Sequence, residues 1–234
     1  MRKIFIYILI MTAMVVSNQL FSQATPRKSK KNPFDLSNYK AEPKDKILIE
    51  FTHCAWLNLP RGVRSDWYSR GANFHMFFDF PFGKSPLSFA FGGGISSHNI
   101  SGNMTALNLH DSIGGGVSLI AREEPYKKNV FGAKILEVPI EFRFRTRKAR
   151  SFKLTLGGKV GYTVQNFNKL FDDNGKRKIF DLKGYNPWRY GAVFRIGYEQ
   201  FYLSCFYSFS SVFKKSNKSS EIIPYTIGIG IIPW

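Results

Sequence analysis

From Leu136 to Arg145 the chain switches between oil and charge at nearly every step. Leu136, Val138, Ile140, Phe142 and Phe144 share one parity, and Glu137, Glu141, Arg143 and Arg145 share the other. A side-chain period of two is that of a β-strand with one apolar and one polar face. The pattern recurs, so that eight such runs follow Lys46: KILIEFTHCAWLNL, RGANFHMFFDF, LSFAFGGGISS, ILEVPIEFRFR, FKLTLGGKVGYTV, RYGAVFRIGY, FYLSCFYSFSS and IIPYTIGIGIIPW. The links between them also alternate. Pro60–Tyr68, His98–Gly132, Asn166–Trp188 and Lys214–Glu221 are long, whereas PFGKSP, TRKARS and EQ are short.

Two closed structures use eight alternating strands, and they differ in where the apolar face points. A soluble barrel turns it inward and a membrane barrel turns it outward. Roughly forty large apolar groups would overfill an eight-stranded interior, which is only just wide enough for its own side chains. The opposite face is rich in Gly, Ala, Ser and Thr with a few charges, a set that suits a narrow lumen. A two-sheet sandwich could bury the same groups, but it would not explain the long and short links, which are a feature of membrane barrels. The predicted fold is therefore an eight-stranded antiparallel up-and-down transmembrane β-barrel, with both termini periplasmic. Trp56, Trp67, Tyr68, Tyr126, Tyr162, Trp188, Tyr190, Tyr225 and Trp234 are candidates for interfacial aromatic girdles. Trp234 falls on the parity opposite to Ile227, Ile229 and Ile231.

The N-terminus is consistent with export. Arg2 and Lys3 precede an apolar run from Ile4 to Val16, and Ser22 with Ala24 supplies small residues for cleavage, which predicts a signal peptide over 1–24. The run is shorter than the roughly twenty residues of a spanning helix. Residues 25–45, polar, basic and punctuated by proline, read as a flexible periplasmic tail, and 46–234 as the barrel. The net charge of +18 falls to +16 without Arg2 and Lys3. An exported chain rarely meets nucleic acid, so lipid headgroups and lipopolysaccharide phosphates are the expected partners of this charge. Cys54 and Cys205 are not expected side by side, and without clustered ligands neither a metal nor another cofactor is expected.

With the apolar face outward, Glu50, Asp79, Glu137, Glu141, Arg143, Lys153, Lys159, Arg195 and Glu199 point into the lumen. Buried charges must pair or keep water. The expectation is a structural charge network that plugs the barrel, with an open small-solute channel as the less favoured reading. Catalysis needs a nucleophile, a base and an orienting group within mutual reach. His75, His98 and His110 with Ser96, Ser97, Asp79, Asp111 and Ser112 are the candidate set for a lipid acyl-transfer or deacylation enzyme. Nothing in their spacing fixes a geometry, and no catalytic residues are assigned. His53 falls on the lipid-facing parity. The glycine runs at 92–94 and 114–116 lack the lysine and helix of a phosphate loop.

WLNLPRGV, YSRGANFHMFFDFPFGKSPLSFAFGGGISSHNI, EVPIEFRFRT, FKLTLGGKVGYTV and RYGAVFRIGY resemble the PorT-like outer-membrane β-barrel proteins of Bacteroidetes. The resemblance runs from about Lys46 to the C-terminus and is weakest in the two longest links. It implies a non-enzymatic barrel and, from the family's namesake, an accessory part in type IX-like protein secretion alongside secretion-machinery proteins. No family site maps onto residues here. The expectation is a monomer acting as a secretion accessory factor or as a membrane scaffold that presents its loops.

Overall fold

Alternation becomes a closed wall in the computed structural model, which describes residues 47–83, 85–109, 116–146, 152–173, 175–182, 184–214 and 221–232. The expected signal peptide, the basic tail, and His110, Asp111, Ser112 and Trp234 lie outside the described residues. The strands are β1 (Ile47–Leu57), β2 (Arg70–Pro81), β3 (Leu87–Ser101), β4 (Met104–Leu109), β5 (Gly116–Ala121), β6 (Lys128–Arg145), β7 (Phe152–Asp172), β8 (Gly175–Phe180), β9 (Trp188–Tyr198), β10 (Phe201–Ser208) and β11 (Ile223–Ile231). Eight of them close into an antiparallel ring in the order β1, β2, β3, β6, β7, β9, β10, β11 and back to β1. Closure pairs every strand on both sides and leaves no edge within the ring.

The apolar parity faces out. Phe51 (64%), Leu156 (62%), Phe201 (69%) and Ile227 (54%) are strongly exposed, while their strand neighbours Glu50, Thr155, Tyr202 and Thr226 are buried. An apolar surface that wraps the whole ring far exceeds the patches of soluble monomers. It is stable against hydrocarbon, where only helices and closed barrels satisfy their backbone groups internally.

Three features depart from the expected outline. First, the two longest links are not plain loops. β6 and β7 run for 18 and 21 residues, beyond the roughly 9–11 a bilayer requires. β4 pairs with β5 alone, and β8 pairs with the far end of β7 (Phe167–Asp172). The wall therefore continues past the lipid at the long-link end.

Second, β7 carries a bulge. Lys134 pairs with Gln165 but Ile135 pairs with Thr163, so Val164 is the extra residue. Below it the even-numbered residues of β7 face out; above it the odd ones do, because an inserted residue re-aims every side chain beyond it. Thus Asn168 turns inward and donates to Asn129 Oδ1 at 2.8 Å, and Leu170 is buried. Phe167 turns outward and lies over Gly132, where a Cβ would sit 2.2 Å from the ring.

Third, Trp56 is not an interfacial residue. It is only 9% exposed and packs edge-on against Phe131 (6.0 Å) and Phe213 (6.5 Å). Val63, Ile100, Met104, Val212 and Ile222 complete this apolar cap, built from the ends of the strands and from the links. Its parity, shared with Cys54, points it inward. Of the other candidates, Tyr162 and Trp188 meet edge-to-face at 5.2 Å on the outer wall, and Tyr190 and Trp67 are exposed.

Candidate functional site

The chemistry-bearing groups of the described residues converge in the lumen, and the wall positions them by pleat alone. Glu50 on β1, His75 on β2, Ser96 on β3, Glu137, Glu141 and Arg143 on β6, Lys159 on β7 and Arg195 on β9 all occupy inward positions and are at most 6% exposed. Such groups persist in a low-dielectric interior only when hydrogen-bonded and paired.

They form two clusters. In the first, Arg195 joins two strands by donating from Nε to Glu50 Oε1 at 3.0 Å and from Nη1 to Glu141. Glu141 also accepts from Arg143 Nε (3.0 Å) and Nη2 (2.8 Å), and Asn73 Nδ2 donates to Glu50 at 3.0 Å. The Arg143 guanidinium lies 4.2 Å from the centre of the Phe77 ring. In the second, one oxygen of Glu137 meets Lys159 Nζ at 2.8 Å, Ser96 Oγ at 2.5 Å and His75 Nε2 at 3.0 Å. Lys159 also stands 4.4 Å over the ring of Phe206. Each carboxylate thus gathers several donors, the condition under which burial is tolerated.

Apolar layers lie on both sides. Leu48, Phe77, Ala90 and Tyr202 fill the short-turn end, and the Trp56–Phe131–Phe213 cap closes the other. Between the cap and the charges, Cys54 Sγ and His98 Nδ1 are 3.3 Å apart. Arg189 leans over Phe206 at 4.6 Å. His98 and Arg189 border a cavity of about 30 Å³, room for ordered water. Among the described residues, no group of three His, Cys, Asp or Glu side chains is placed to hold a metal ion. Cys54 and Cys205 are both free, one buried and one exposed.

The expected lumen charges do not all join this network. Asp79 has a buried side chain but lies 3.9 Å from Arg145 at the short-turn rim, and half-buried Lys153 borders a small cavity there with Tyr202. Glu199 is not in the lumen: it is exposed in the two-residue turn after β9, where its φ of 54° takes it off the strand. Arg189, outside the expected set, is also buried in the lumen, and its parity opposite to that of Tyr190 is the signal that marks it as inward. Besides the expected Gly, Ala, Ser, Thr and charges, the lumen holds the buried rings of Phe77, Tyr202 and Phe206. Outside the membrane wall, the Tyr68 phenol is pushed up to about 12, first by its hydrogen bond with Asp66 and then by partial burial.

Among the described residues, the catalytic candidates His75, His98, Ser96, Ser97 and Asp79 do not line up as nucleophile, base and orienting acid. A nucleophile must bond to its base, which an acid then orients. Here Ser96 and His75 both bond to Glu137, and His98 points to Cys54 instead.

Packing around His75 is tight enough to test. A Cβ on Gly94 would fall 2.1 Å from the Phe74 carbonyl oxygen and 2.5 Å from the His75 ring. Gly94→Ala is expected to destabilise the barrel by about 1–3 kcal/mol, seen as a lower midpoint of urea unfolding in lipid vesicles. An unchanged midpoint would mean that β2 and β3 do not approach this closely.

Residues 38–214 match the family model described as the outer membrane protein beta-barrel domain. Two solved structures of Ail, the attachment invasion locus protein of Yersinia pestis, are similar. One has 13% identity and a TM-score of 0.35, and spans 80% of this chain and 95% of that one. The other, in complex with the heparin analogue sucrose octasulfate, has 16% identity and a TM-score of 0.31 over the same shares. No curated protein matches the chain.

Proposed function

Since the chain belongs to the outer membrane protein β-barrel domain family, we propose that it works as a plugged, non-enzymatic scaffold in the outer membrane. In this reading the barrel is monomeric, both chain ends are periplasmic, and the raised β6–β7 wall with its hairpins is presented outside the cell. The observation that carries the proposal is the filled lumen, with ion pairs at mid-height and an apolar layer on either side. A barrel spent on rigidity leaves its exposed links as the working parts.

A channel reading has little support from such a lumen. In planar bilayers the purified barrel is expected to give no discrete conductance steps; regular stepwise openings would overturn the plug. An acyl-transfer role is likewise disfavoured by the geometry around Ser96 and His75. Lipid A from a deletion strain should show unchanged acylation by mass spectrometry, and altered chains would restore that reading.

The narrower version, supported by the sequence resemblance, is an accessory component of protein secretion. A photocrosslinking residue at Ile179, which is 59% exposed on β8, should capture secretion proteins in native membranes. Capture of none, with secretion intact in the deletion strain, would remove the secretion role.

A further inference from the structure

We propose that the outward face of the β7–β8 hairpin binds the phosphate groups of lipid A, the phosphorylated glycolipid of the outer leaflet around the barrel. This rests on the reading that the long-link end faces outside.

The face is defined by the bulge at Val164. Beyond it, Phe167, Lys169 and Phe171 on β7 point outward, and their cross-strand partners on β8 are Phe180, Lys178 and Lys176. Directly opposed residues share a face, so three lysines and three phenylalanines form one surface. Lys128 and Lys134 on β6 add two exposed cations to the same side of the wall. Among the described residues, none of the three hairpin lysines has an ion pair, whereas Arg177, on the opposite face, is bound to Asp172.

Aromatic rings hold the ammonium groups without neutralising them. Lys178 lies 4.6 Å from the Phe167 ring and 4.3 Å from that of Phe180, and Lys169 lies 5.0 Å from Phe171. Such contacts orient a cation while leaving its charge available to an anion.

Position on the wall selects the occupant. Below the hairpin are the Tyr162–Trp188 pair and then Val160 and Leu156, all exposed to the surroundings of the barrel. Phe167 follows Tyr162 by roughly 15 Å of strand. A ligand here needs acyl chains against the lower wall and phosphates at the level of the lysines. A nucleic acid or free polysaccharide has no use for the apolar half, and a basic segment beside a bilayer attracts anionic headgroups.

The test uses the full-length barrel in phosphatidylcholine nanodiscs doped with lipid A or phosphatidylglycerol, with retained lipid counted by native mass spectrometry. The variant Lys169→Gln/Lys176→Gln/Lys178→Gln should retain lipid A about tenfold less well. A variant with the same charge change off this wall, Arg61→Gln/Arg64→Gln/Lys214→Gln, should match the parent. Equal retention by the hairpin variant, or equal loss in both variants, overturns the site. Equal retention of phosphatidylglycerol overturns lipid A as the ligand. Heat-modifiable gel mobility verifies that each variant is folded. Ile179→Cys, labelled on intact cells by a membrane-impermeant maleimide, checks orientation separately. Absence of labelling overturns the outward reading and the lipid A assignment with it, while labelling with unchanged retention overturns the site alone.

Discussion

Arg195→Met is expected to cost the folded barrel about 3–5 kcal/mol, the typical penalty for removing one partner of a buried ion pair. The guanidinium ties β9 to β1 through Glu50 and to β6 through Glu141, so its loss strands charge on two other strands. Glu141 keeps Arg143, but Glu50 is left with Asn73 as its hydrogen-bond donor and only the more distant charge of Lys159. Glu50 therefore bears most of the damage. It follows that the double variant Glu50→Gln/Arg195→Met should recover more than half of the loss, because a neutral amide no longer needs the cation. Urea titration in lipid vesicles, followed by gel mobility of unboiled samples, measures both. A single variant less than 1 kcal/mol below the parent would show that these charges are solvated rather than paired.

The second large effect lies on the other side of the same wall. Leu203 is 57% exposed on the outer face of β10, two residues in from its start, between Ile196 of β9 and Ile229 of β11. Leu203→Arg should cost about 1–3 kcal/mol, the penalty for an arginine on the lipid face of a barrel between its rim and the bilayer midplane. The neighbouring inward change Ser204→Ala should cost far less, since it removes one small hydroxyl. If Leu203→Arg instead folds as well as the parent, and the parent stays a folded monomer without detergent, the apolar belt faces something other than lipid.

Both experiments probe a feature that was legible in the chain. Strict alternation in ILEVPIEFRFR placed Glu137, Glu141 and Arg143 inward and Phe142 outward, and the structure has them so. Volume settled the direction, because large apolar groups in those numbers do not fit an eight-stranded interior. Structure and sequence part where period two is broken or where residue type competes with parity. Trp56 is interfacial by residue type but inward by parity, which it shares with Glu50 and Cys54, and parity prevails. Glu199 is inward only if β9 runs one residue further, and the turn ends it first. In the links 98–132 and 166–188 the alternation is interrupted, yet β3, β6 and β7 extend into them.

Local composition alone determined that this chain makes eight two-faced strands, apolar on one side and charged or small on the other, long enough to cross a bilayer. Hydrophobic alternation acts within a strand and survives any neighbour. What the sequence could not contain is register. Which carboxylate meets which cation, whether Ser96 reaches His75 or Glu137, and which face carries Lys169 depend on how strands far apart in sequence align. The extra residue at Val164 exists only relative to β6. Ring closure sets that alignment, so the plug and the basic face of the hairpin were decided by the tertiary structure.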